Sequence, residues 1–326
     1  MDFTNYTAGA NDQGRRLDKI VKHIFQNNCT SNIYAAIRKK LIKVNGAKTN
    51  AGYLLTEGDT ISIASFLLNG NAESSTDTAP KTSNKPQQEF ETLVKNQHVW
   101  IINKPYGINV HASQSSGQDI ATIVAKQYRD TTSIAFTPAP LHRLDRYTTG
   151  VLAISQSHEG AVWFSSAIAS HAIKKTYIGI AEGTLQARTT WQDCIANSPS
   201  STSTFHTVSI SQGEKNAVTH AIPLSYGTYR GHPVTLIQYT IETGRKHQIR
   251  IQSSSHGHPL LGDTAYTASC RITVPAPHAF FLHAIQLTFP QDNPLSIPCV
   301  VTAPLPQEFE SFLQFSLIKW DKKLII

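Results

Sequence analysis

Cysteine is scarce in this sequence, and the few cysteines are far apart. The 326 residues include only Cys29, Cys194, Cys270 and Cys299, and no two of them form a Cys-x-x-Cys pair. Zinc sites and disulfide frameworks depend on closely spaced cysteines. The spacing therefore argues against both, and it favours a protein of the reducing cytoplasm.

Long apolar segments and nucleotide-binding glycine motifs are missing as well. Residues 1–10 are polar and lack the apolar core of a signal peptide. No run approaches the roughly 20 apolar residues that a membrane helix needs. Neither a P-loop nor the glycine pattern of a Rossmann domain occurs. We therefore expect no membrane partner and no nucleotide cofactor.

Positive charge exceeds negative charge in this chain. It has 29 lysines and arginines against 22 acidic residues, a net charge of +7 at pH 7. A basic surplus favours an anionic partner, and nucleic acid is the commonest one. The hydrophobic share of 40% is enough for a core. The length suits one large domain with a small one, or two of medium size.

The N-terminal part of the chain has the pattern of two helices and a small sheet. Apolar residues recur at helical spacing over residues 15–26 and again over residues 33–40. Ser31 stands where the cap of the second helix is expected. A short strand then runs into Asn45-Gly46, a strong hairpin signal. Residues 60–64 alternate in the manner of a strand.

Basic residues occupy the polar side of this N-terminal pattern. Three of them are candidate RNA-binding residues, namely Arg38, Lys39 and Lys43. The order of basic helix, Val-Asn-Gly turn, Gly-Asp turn and strand resembles the S4 RNA-binding domain, here over residues 14–68. A small packing or dimerising domain is the alternative. Residues 69–88 are polar and predict a flexible linker, and residues 1–13 are expected to be disordered.

The most informative stretch of the chain is residues 141–150, Leu-His-Arg-Leu-Asp-Arg-Tyr-Thr-Thr-Gly. It places one carboxylate, Asp145, between Arg143 and Arg146, and an apolar run that predicts a buried strand follows it. Opposite charges within a few ångströms favour the ionised form of a carboxylate, and loops on a rigid scaffold often carry chemistry. The residues alone leave a surface ion pair open as an alternative.

Three further motifs accompany this stretch. Residues 103–111, Asn-Lys-Pro-Tyr-Gly-Ile-Asn-Val-His, follow a predicted strand and turn at the proline and glycine. A basic pair, Lys174-Lys175, precedes an alternating strand that contains Tyr177. A tyrosine ring can stack on a base while its phenol relays a proton. Residues 243–250 are Thr-Gly-Arg-Lys-His-Gln-Ile-Arg.

In this order, the four motifs resemble those of the RluA-type family of RNA pseudouridine synthases. The resemblance implies that Asp145 is the indispensable catalytic residue, that Tyr177 lies against the base, and that Arg250 pairs with Asp145. Such a charge-assisted pair, which can be bidentate, would keep the carboxylate ionised and hold it in one orientation. Thr149 stands where the family usually has serine, and both residues carry a hydroxyl.

The remaining site candidates are basic residues of the same motifs. Those predicted to contact RNA are Lys104, Arg143, Arg146, Arg245 and His247. Lys104 has a scaffolding role as its alternative, because its motif forms the turn beside the aspartate loop. His256 and His258 could be metal ligands by residue type, but the glycines and proline around them suit a turn, and the family uses no metal. We expect no metal and no other cofactor.

The resemblance implies an α+β fold. A pseudouridine synthase domain over residues 89–326 is expected to have a large mixed, mostly antiparallel β-sheet with a central active-site cleft, following the small N-terminal α/β S4-like domain. The implied reaction isomerises uridines flipped out of RNA to pseudouridine. We expect the RNA to be large-subunit (23S) ribosomal RNA, with transfer RNA as the alternative, and we expect a monomer.

Two functions of other classes stay open. A non-catalytic RNA-binding factor could keep the same fold, although Asp145, Tyr177 and Arg250 together argue for catalysis. A glycosidase-like hydrolase would need paired carboxylates, and only one acid lies in a convincing setting.

Overall fold

The computed structural model describes most of the chain, in two compact units. The described residues are 2–25, 32–68, 89–111, 119–128, 133–195, 216–266, 274, 279–321 and 323. The first unit is Met1–Gln88 with Ile123–Ala139 and Gln156–Gly160, and the second is Glu89–Thr122 with Pro140–Ser155 and Ala161–Ile326. The linker predicted at residues 69–88 and the cap predicted at Ser31 lie outside the described residues.

The N-terminal part of the first unit contains a three-stranded antiparallel sheet and two α-helices among its described residues. Its elements are β1 (Phe3–Thr7), α1 (Leu17–Ile24), α2 (Ile33–Arg38), β2 (Ile42–Val44) and β3 (Thr60–Ala64). The strand order is β1-β3-β2. The apolar stripe of α1 is buried as predicted, since Leu17, Ile20 and Val21 share one core with Ile61 and Ile63 of β3.

Two local features of the first unit differ from the sequence prediction. Residues 1–13 are not simply disordered, because β1 forms along the edge of β3 and Tyr6 packs against the core. The cap of α2 is Asn32 rather than Ser31. Its Oδ1 accepts a hydrogen bond from the backbone N–H of Ala35 at 3.1 Å, which satisfies one of the free donors at the helix start.

The turn predicted at Asn45-Gly46 is present. Both residues have positive φ angles, of 52° and 74°, as the type I′ turn that Asn-Gly favours requires. The Asn45 Nδ2 donates to Asp59 Oδ1 at 2.8 Å, and the Tyr53 hydroxyl donates to the other carboxylate oxygen at 3.1 Å. These bonds fix the turn against the start of β3.

The second unit is built on one mixed sheet with nine strands among the described residues. They are β4 (Glu91–Lys95), β5 (Val99–Lys104), β6 (Thr149–Ser155), β7 (Lys174–Glu182), β8 (Thr189–Cys194), β9 (Asn216–Tyr229), β10 (His232–Ile241), β11 (Leu282–Thr288) and β12 (Val300–Thr302). Their order is β4-β5-β6-β11-β7-β10-β9-β8, with β12 paired to β11. Among the described strands, only β6 and β11 pair in parallel, so the predicted mixed, mostly antiparallel sheet is confirmed.

Four further α-helices, with the 3-10 helices Ala10–Asp12 and Ser65–Leu67, complete the described elements. The α-helices are α3 (Ile120–Gln127), α4 (His158–Ala169), α5 (Gln248–Ser255) and α6 (Gln307–Phe315). Phe164 and Ala167 of α4 lie in one core with Val99, Ile101 and Val151 of the sheet. Within the described ranges, every helix is too short or too polar to cross a membrane.

Gly150 ends the aspartate motif and allows two strands to approach closely. Its φ is 108°, and a β-carbon there would lie 2.2 Å from the carbonyl oxygen of Ala284 in β11. A side chain at this position would be strained by the backbone conformation and would collide with that strand. Glycine therefore lets β6 and β11 pair directly after the loop that carries Asp145.

Candidate active site

The loop that carries Asp145 is held by a buried lysine. Lys104 ends β5 and is 0% exposed. Its Nζ donates to the backbone carbonyls of Arg146 at 3.0 Å, Thr148 at 2.8 Å and Pro105 at 3.0 Å. Burial lowers the pKa of Lys104 to about 7, and the charge of Asp145 acts in the opposite direction. The RNA contact predicted for Lys104 must therefore be corrected, because the loop it supports encloses its ammonium group.

Further hydrogen bonds fix the same loop near both ends. The Arg146 Nε donates to the carbonyl of Gly107 at 2.9 Å, and the Gly107 N–H donates to the carbonyl of Arg146 at 3.0 Å. The Ala153 N–H donates to His142 Nε2 at 3.1 Å. Burial lowers the pKa of His142 to about 3, with the charge of Lys175 acting in the same direction. The His142 ring is therefore neutral at pH 7, and its proton lies on Nδ1.

A second loop, between β10 and α5, carries other predicted site residues. Gln248 opens α5, and its Oε1 accepts hydrogen bonds from the Thr243 hydroxyl at 2.8 Å and the Arg245 N–H at 3.0 Å. His247 has a φ of 55°, a left-handed conformation that turns the chain into the helix. Gln248 was not predicted as a site residue, although its place two residues before Arg250 in the motif was a signal.

Arg250 contacts two carboxylates. Its Nε and Nη2 donate to the two oxygens of Asp263, at 2.6 and 2.9 Å, in a bidentate geometry. Its Nη1 lies 3.4 Å from Asp145 Oδ2. The predicted contact with Asp145 is present, but the bidentate partner is Asp263, for which no role was predicted. Burial acts to lower the pKa of Arg250, yet the hydrogen bonds and charge of Asp263, with the charge of Asp145, raise it overall.

Aromatic and imidazole rings complete this side of the site. The ring centroids of Phe280 and Tyr266 lie 4.4 and 4.9 Å from the central guanidinium carbon of Arg250. The Tyr266 hydroxyl is hydrogen-bonded to His247 Nδ1, and His247 Nε2 lies 3.7 Å from Asp145 Oδ1. Burial lowers the pKa of His247 to about 4 although the charge of Asp145 opposes it. At neutral pH the contact with Asp145 is therefore not an ion pair.

Asp145 keeps most of its hydrogen-bonding capacity free. Among the described residues, only Arg250 and His247 approach its carboxylate, at 3.4 and 3.7 Å, and the side chain is 15% exposed. Tyr177 of β7 is buried and lines the same cavity. Burial raises the pKa of the Tyr177 phenol, and the nearby charge of Asp145 adds to the effect. The site thus pairs an accessible carboxylate with a phenol that stays protonated.

These side chains line one cavity of about 490 Å³, in the size range of a small-molecule site. Its cationic side chains are Arg143, Lys175, Arg245, Lys246 and Arg250. Of the predicted RNA-binding residues, Arg143, Arg245 and His247 line this cavity. Arg146, which follows Asp145 in the chain, is exposed, and its Nε donates a hydrogen bond to the carbonyl of Gly107. The cavity can therefore accept an anionic ligand next to the Asp145 carboxylate.

The other predicted RNA-binding residues belong to the first unit. Arg38 and Lys39 are exposed where α2 ends. Lys43 is half-buried, and its Nζ lies 4.5 Å from the ring centroid of Phe3. All three remain candidates for contacts with an anionic partner, and Lys43 already makes one cation–π contact within the protein.

The two histidines considered as metal ligands have other contacts. His256 stacks on Trp191 with ring centroids 5.1 Å apart, and its Nε2 lies 3.0 Å from Asp193 Oδ2. His258 Nδ1 lies 3.3 Å from the carbonyl oxygen of Glu182. In the part of the chain that the structure describes, no three histidine, cysteine or acidic side chains are grouped in a way that could hold a metal ion.

A mixed sheet with a carboxylate that opens to a basic cavity fits an enzyme that acts on an anionic substrate. A family model for RNA pseudouridylate synthase matches residues 98–255, and one for the S4 domain matches residues 15–61. The chain therefore belongs to the RNA pseudouridylate synthase family, a family of isomerases, and carries an S4 domain.

Similar proteins span nearly the whole chain. The ribosomal large subunit pseudouridine synthase C of Vibrio vulnificus is 26% identical over 320 residues, covering 92% of this chain and 92% of its own length. The ribosomal large subunit pseudouridine synthase D of Nitrosomonas europaea is 26% identical over 322 residues, covering 94% and 86%. The solved structure of human RNA pseudouridylate synthase domain containing 4 shares the fold, with a TM-score of 0.57, 22% identity, and coverage of 71% of this chain and 95% of the human one.

Proposed function

We propose that this chain isomerises uridine to pseudouridine in large-subunit (23S) ribosomal RNA, with Asp145 as the catalytic residue acting on a flipped-out uridine. The observation that carries the proposal is the setting of Asp145. Its carboxylate opens to a basic cavity, and its two contacts measure 3.4 and 3.7 Å. A purely structural carboxylate at this depth would accept several short hydrogen bonds. The free lone pairs of Asp145 are therefore available to a substrate.

The reaction balances without any added group. The N1–C1′ bond of the uridine breaks, the base turns, and a C5–C1′ bond forms. The C5 proton leaves to solvent and N1 gains a proton. Asp145 acts either as a nucleophile at C1′ or as a base towards the sugar, and both routes fit an accessible carboxylate. The base must first leave the RNA stack, which costs a few kcal/mol. We expect Arg143 and Arg245, which line the cavity, to bind the displaced backbone.

Tyr177 and Arg250 support the carboxylate from two sides. The Tyr177 ring lines the cavity and can lie against the uracil, and its protonated phenol can donate a hydrogen bond. Arg250 places positive charge 3.4 Å from Asp145, and its bidentate bond to Asp263 prevents it from turning away. Asp145 is therefore held beside the substrate by a charge that is itself anchored.

Ribosomal RNA is proposed over transfer RNA on two grounds. Both bacterial relatives described above are named for the ribosomal large subunit. The chain also carries an S4 domain, with Arg38 and Lys39 exposed for phosphate contacts. We assign these phosphate contacts to a domain over residues 14–68 and the isomerisation of uridine to a domain over residues 89–326. Transfer RNA stays the alternative substrate.

Tritium release from RNA labelled at uridine C5 tests the proposal, because bond formation at C5 expels the label into water. We expect release from 23S transcripts with the unchanged protein. We expect Asp145→Asn to reduce the rate by about 1,000-fold or more. Asp292→Asn makes the same chemical change at an exposed position, and this control should release tritium at the original rate.

The outcomes separate the alternatives. Bound RNA without tritium release from any transcript would support a non-catalytic RNA-binding factor. Release of free uracil would identify a hydrolase. Release from transfer RNA but not from 23S transcripts would move the proposal to the other substrate. Equal rates for Asp145→Asn and the unchanged protein would exclude Asp145 as the catalytic residue.

A further inference from the structure

A second lysine lies buried beside the active-site cavity. Lys175 is the second residue of β7, is only 8% exposed, and lines the cavity together with Asp145. Removing an ammonium group from water is unfavourable unless a partner compensates for the lost hydration. The surroundings of Lys175 therefore indicate what it binds.

Lys104 and Lys175 are both buried but differ in their partners. The Nζ of Lys104 donates to three carbonyls, and Asp145 acts on its charge. Burial alone lowers the pKa of Lys175, and no carboxylate among the described residues acts on it. Glu242, which also lines the cavity, is engaged by His220 at 2.7 Å. Lys175 thus has no anionic partner within the described part of the chain.

The ammonium group of Lys175 lies next to Gly244. A β-carbon at Gly244 would lie 3.4 Å from Lys175 Nζ, so the group meets the loop between β10 and α5. Arg245 and Lys246 follow in that loop and line the same cavity. This part of the cavity therefore gathers positive charge that the protein does not neutralise.

Asp145 lines the same cavity but forms no ion pair with Lys175 among the described residues. Its charge contributes to the pKa shifts of Lys104, Tyr177 and His247, but not to that of Lys175. Lys175 is therefore available to a part of the ligand other than the group that reacts at Asp145. A buried ammonium group without an anionic partner favours a negatively charged part of the same substrate.

We propose that Lys175 binds a backbone phosphate next to the flipped uridine, with Arg245 and Lys246 contributing from the neighbouring loop. The assignment rests on the proposed function, because that function places the sugar of the uridine at Asp145. Each sugar in RNA carries a phosphate on either side, so a nucleotide in this cavity brings an anion with it. Contacts between basic residues and phosphates position the substrate without reading its bases.

Lys174 offers a matched control in the same strand. Successive residues of a strand point to opposite faces, and Lys174 is exposed whereas Lys175 is buried. Lys174 is not part of the active-site cavity. Replacing either lysine by glutamine removes the same charge, and only one replacement affects the cavity.

The experiment measures RNA binding in Asp145→Asn protein, which keeps turnover out of the measurement, with a 23S transcript as the probe. Each phosphate contact contributes about 0.7 to 0.9 to the slope of log Kd against log salt concentration. We expect Lys175→Gln to weaken binding at low salt by about 10- to 100-fold and to reduce the slope by one such step. Lys174→Gln should change both quantities much less.

Thermal unfolding separates a binding role from a folding role. Lys175→Gln removes an uncompensated buried charge, so its Tm should be unchanged or higher. A lower Tm with an unchanged salt slope would assign Lys175 to the fold and overturn the proposal. Weaker binding with an unchanged slope would indicate a contact with an uncharged group such as a uracil carbonyl, and would also overturn it.

The binding measurement stands apart from the test of catalysis. A reduced slope for Lys175→Gln, in a protein that releases no tritium, would support the phosphate contact while the proposed isomerase activity fails. Tritium release with an unchanged slope would leave the activity in place and overturn the phosphate contact.

Discussion

Asp263 and Asp145 present carboxylates to the same guanidinium group, that of Arg250, from two different settings. Asp263 is 2% exposed and accepts two hydrogen bonds from Arg250, at 2.6 and 2.9 Å, and one from the Ala265 N–H at 3.2 Å. The side chain of Asp145 is 15% exposed, and its contact with Arg250 measures 3.4 Å. The Asp263 side of the site is closed and hydrogen-bonded, whereas the Asp145 side is open.

The difference shows which carboxylate serves the fold and which is available for chemistry. Disturbing Asp263 would leave a buried guanidinium without its bidentate partner. A carboxylate with long contacts can instead bind a ligand without breaking the structure around it. Arg250 therefore has two tasks, because its bond to Asp263 anchors it and its remaining nitrogen places charge next to Asp145.

Asp263→Asn should disrupt the closed, hydrogen-bonded side of the site and have the largest effect on stability. An amide cannot neutralise Arg250, and a buried charge that loses its partner costs about 3–5 kcal/mol. We expect urea unfolding at pH 7 to show that loss. Activity should fall too, because Arg250 loses its orientation. Asp145→Asn should change the free energy of unfolding by less than about 1 kcal/mol.

These two variants serve as controls for each other. Equal destabilisation would mean that Asp145 is a structural carboxylate as well, and the contrast between the two settings would disappear. Unchanged stability of Asp263→Asn would mean that the bidentate pair only balances its own desolvation.

Lys104→Met should test the open side of the site, because Lys104 holds the loop of Asp145 and not its carboxylate. Methionine has a similar length but donates no hydrogen bond, so the carbonyls of Pro105 and Thr148 lose this donor, and that of Arg146 keeps the Gly107 N–H. Each buried group left unsatisfied costs about 1–3 kcal/mol, and removing the buried charge offsets part of this. We expect unfolding measurements to show a net loss of about 2–3 kcal/mol, with a lower kcat.

Lys126→Met provides the control for this variant, because Lys126 is exposed on α3. It should leave both the free energy of unfolding and kcat close to their original values. If Lys104→Met also left kcat unchanged, the loop around Asp145 would be held in place by its other hydrogen bonds.

The fold was predictable wherever burial is periodic along the chain. The apolar stripe of α1 identified that helix, and the Asn45-Gly46 pair identified its turn, because both signals are local. β1 was missed because its strand depends on pairing with β3, about 55 residues further along the chain. A polar edge strand has no pattern of its own from which its partner can be inferred.

The site was predictable only in part, for the same physical reason. Asp145, Tyr177 and Arg250 belong to motifs that can be recognised in the sequence, and all three line one cavity in the structure. In the sequence Lys104 looks like a solvent-exposed charge, and only the structure shows the carbonyls that enclose it. Asp263 lies in an ordinary turn sequence, and its role depends on where α5 places Arg250. Both roles arise from tertiary contacts that residue spacing does not encode.

His247→Gln should have the smallest effect and probes the open side by pH. Burial holds the pKa of His247 at about 4 in the folded protein, against about 6.5 when unfolded. Between these values the unfolded chain binds a proton that the folded protein does not, so stability rises with pH through this window and is lost as pH falls. From pH 7 to pH 5.5 this group should account for about 1 kcal/mol.

His247→Gln should remove that part of the pH dependence, as measured by urea unfolding at both pH values. His23→Gln, on the exposed face of α1, should leave it unchanged. A steeper loss of stability in acid for His247→Gln would mean that the ring is protonated in the folded state and paired with Asp145. Asp145 would then be as firmly engaged as Asp263, and the open carboxylate on which the catalytic assignment depends would be lost.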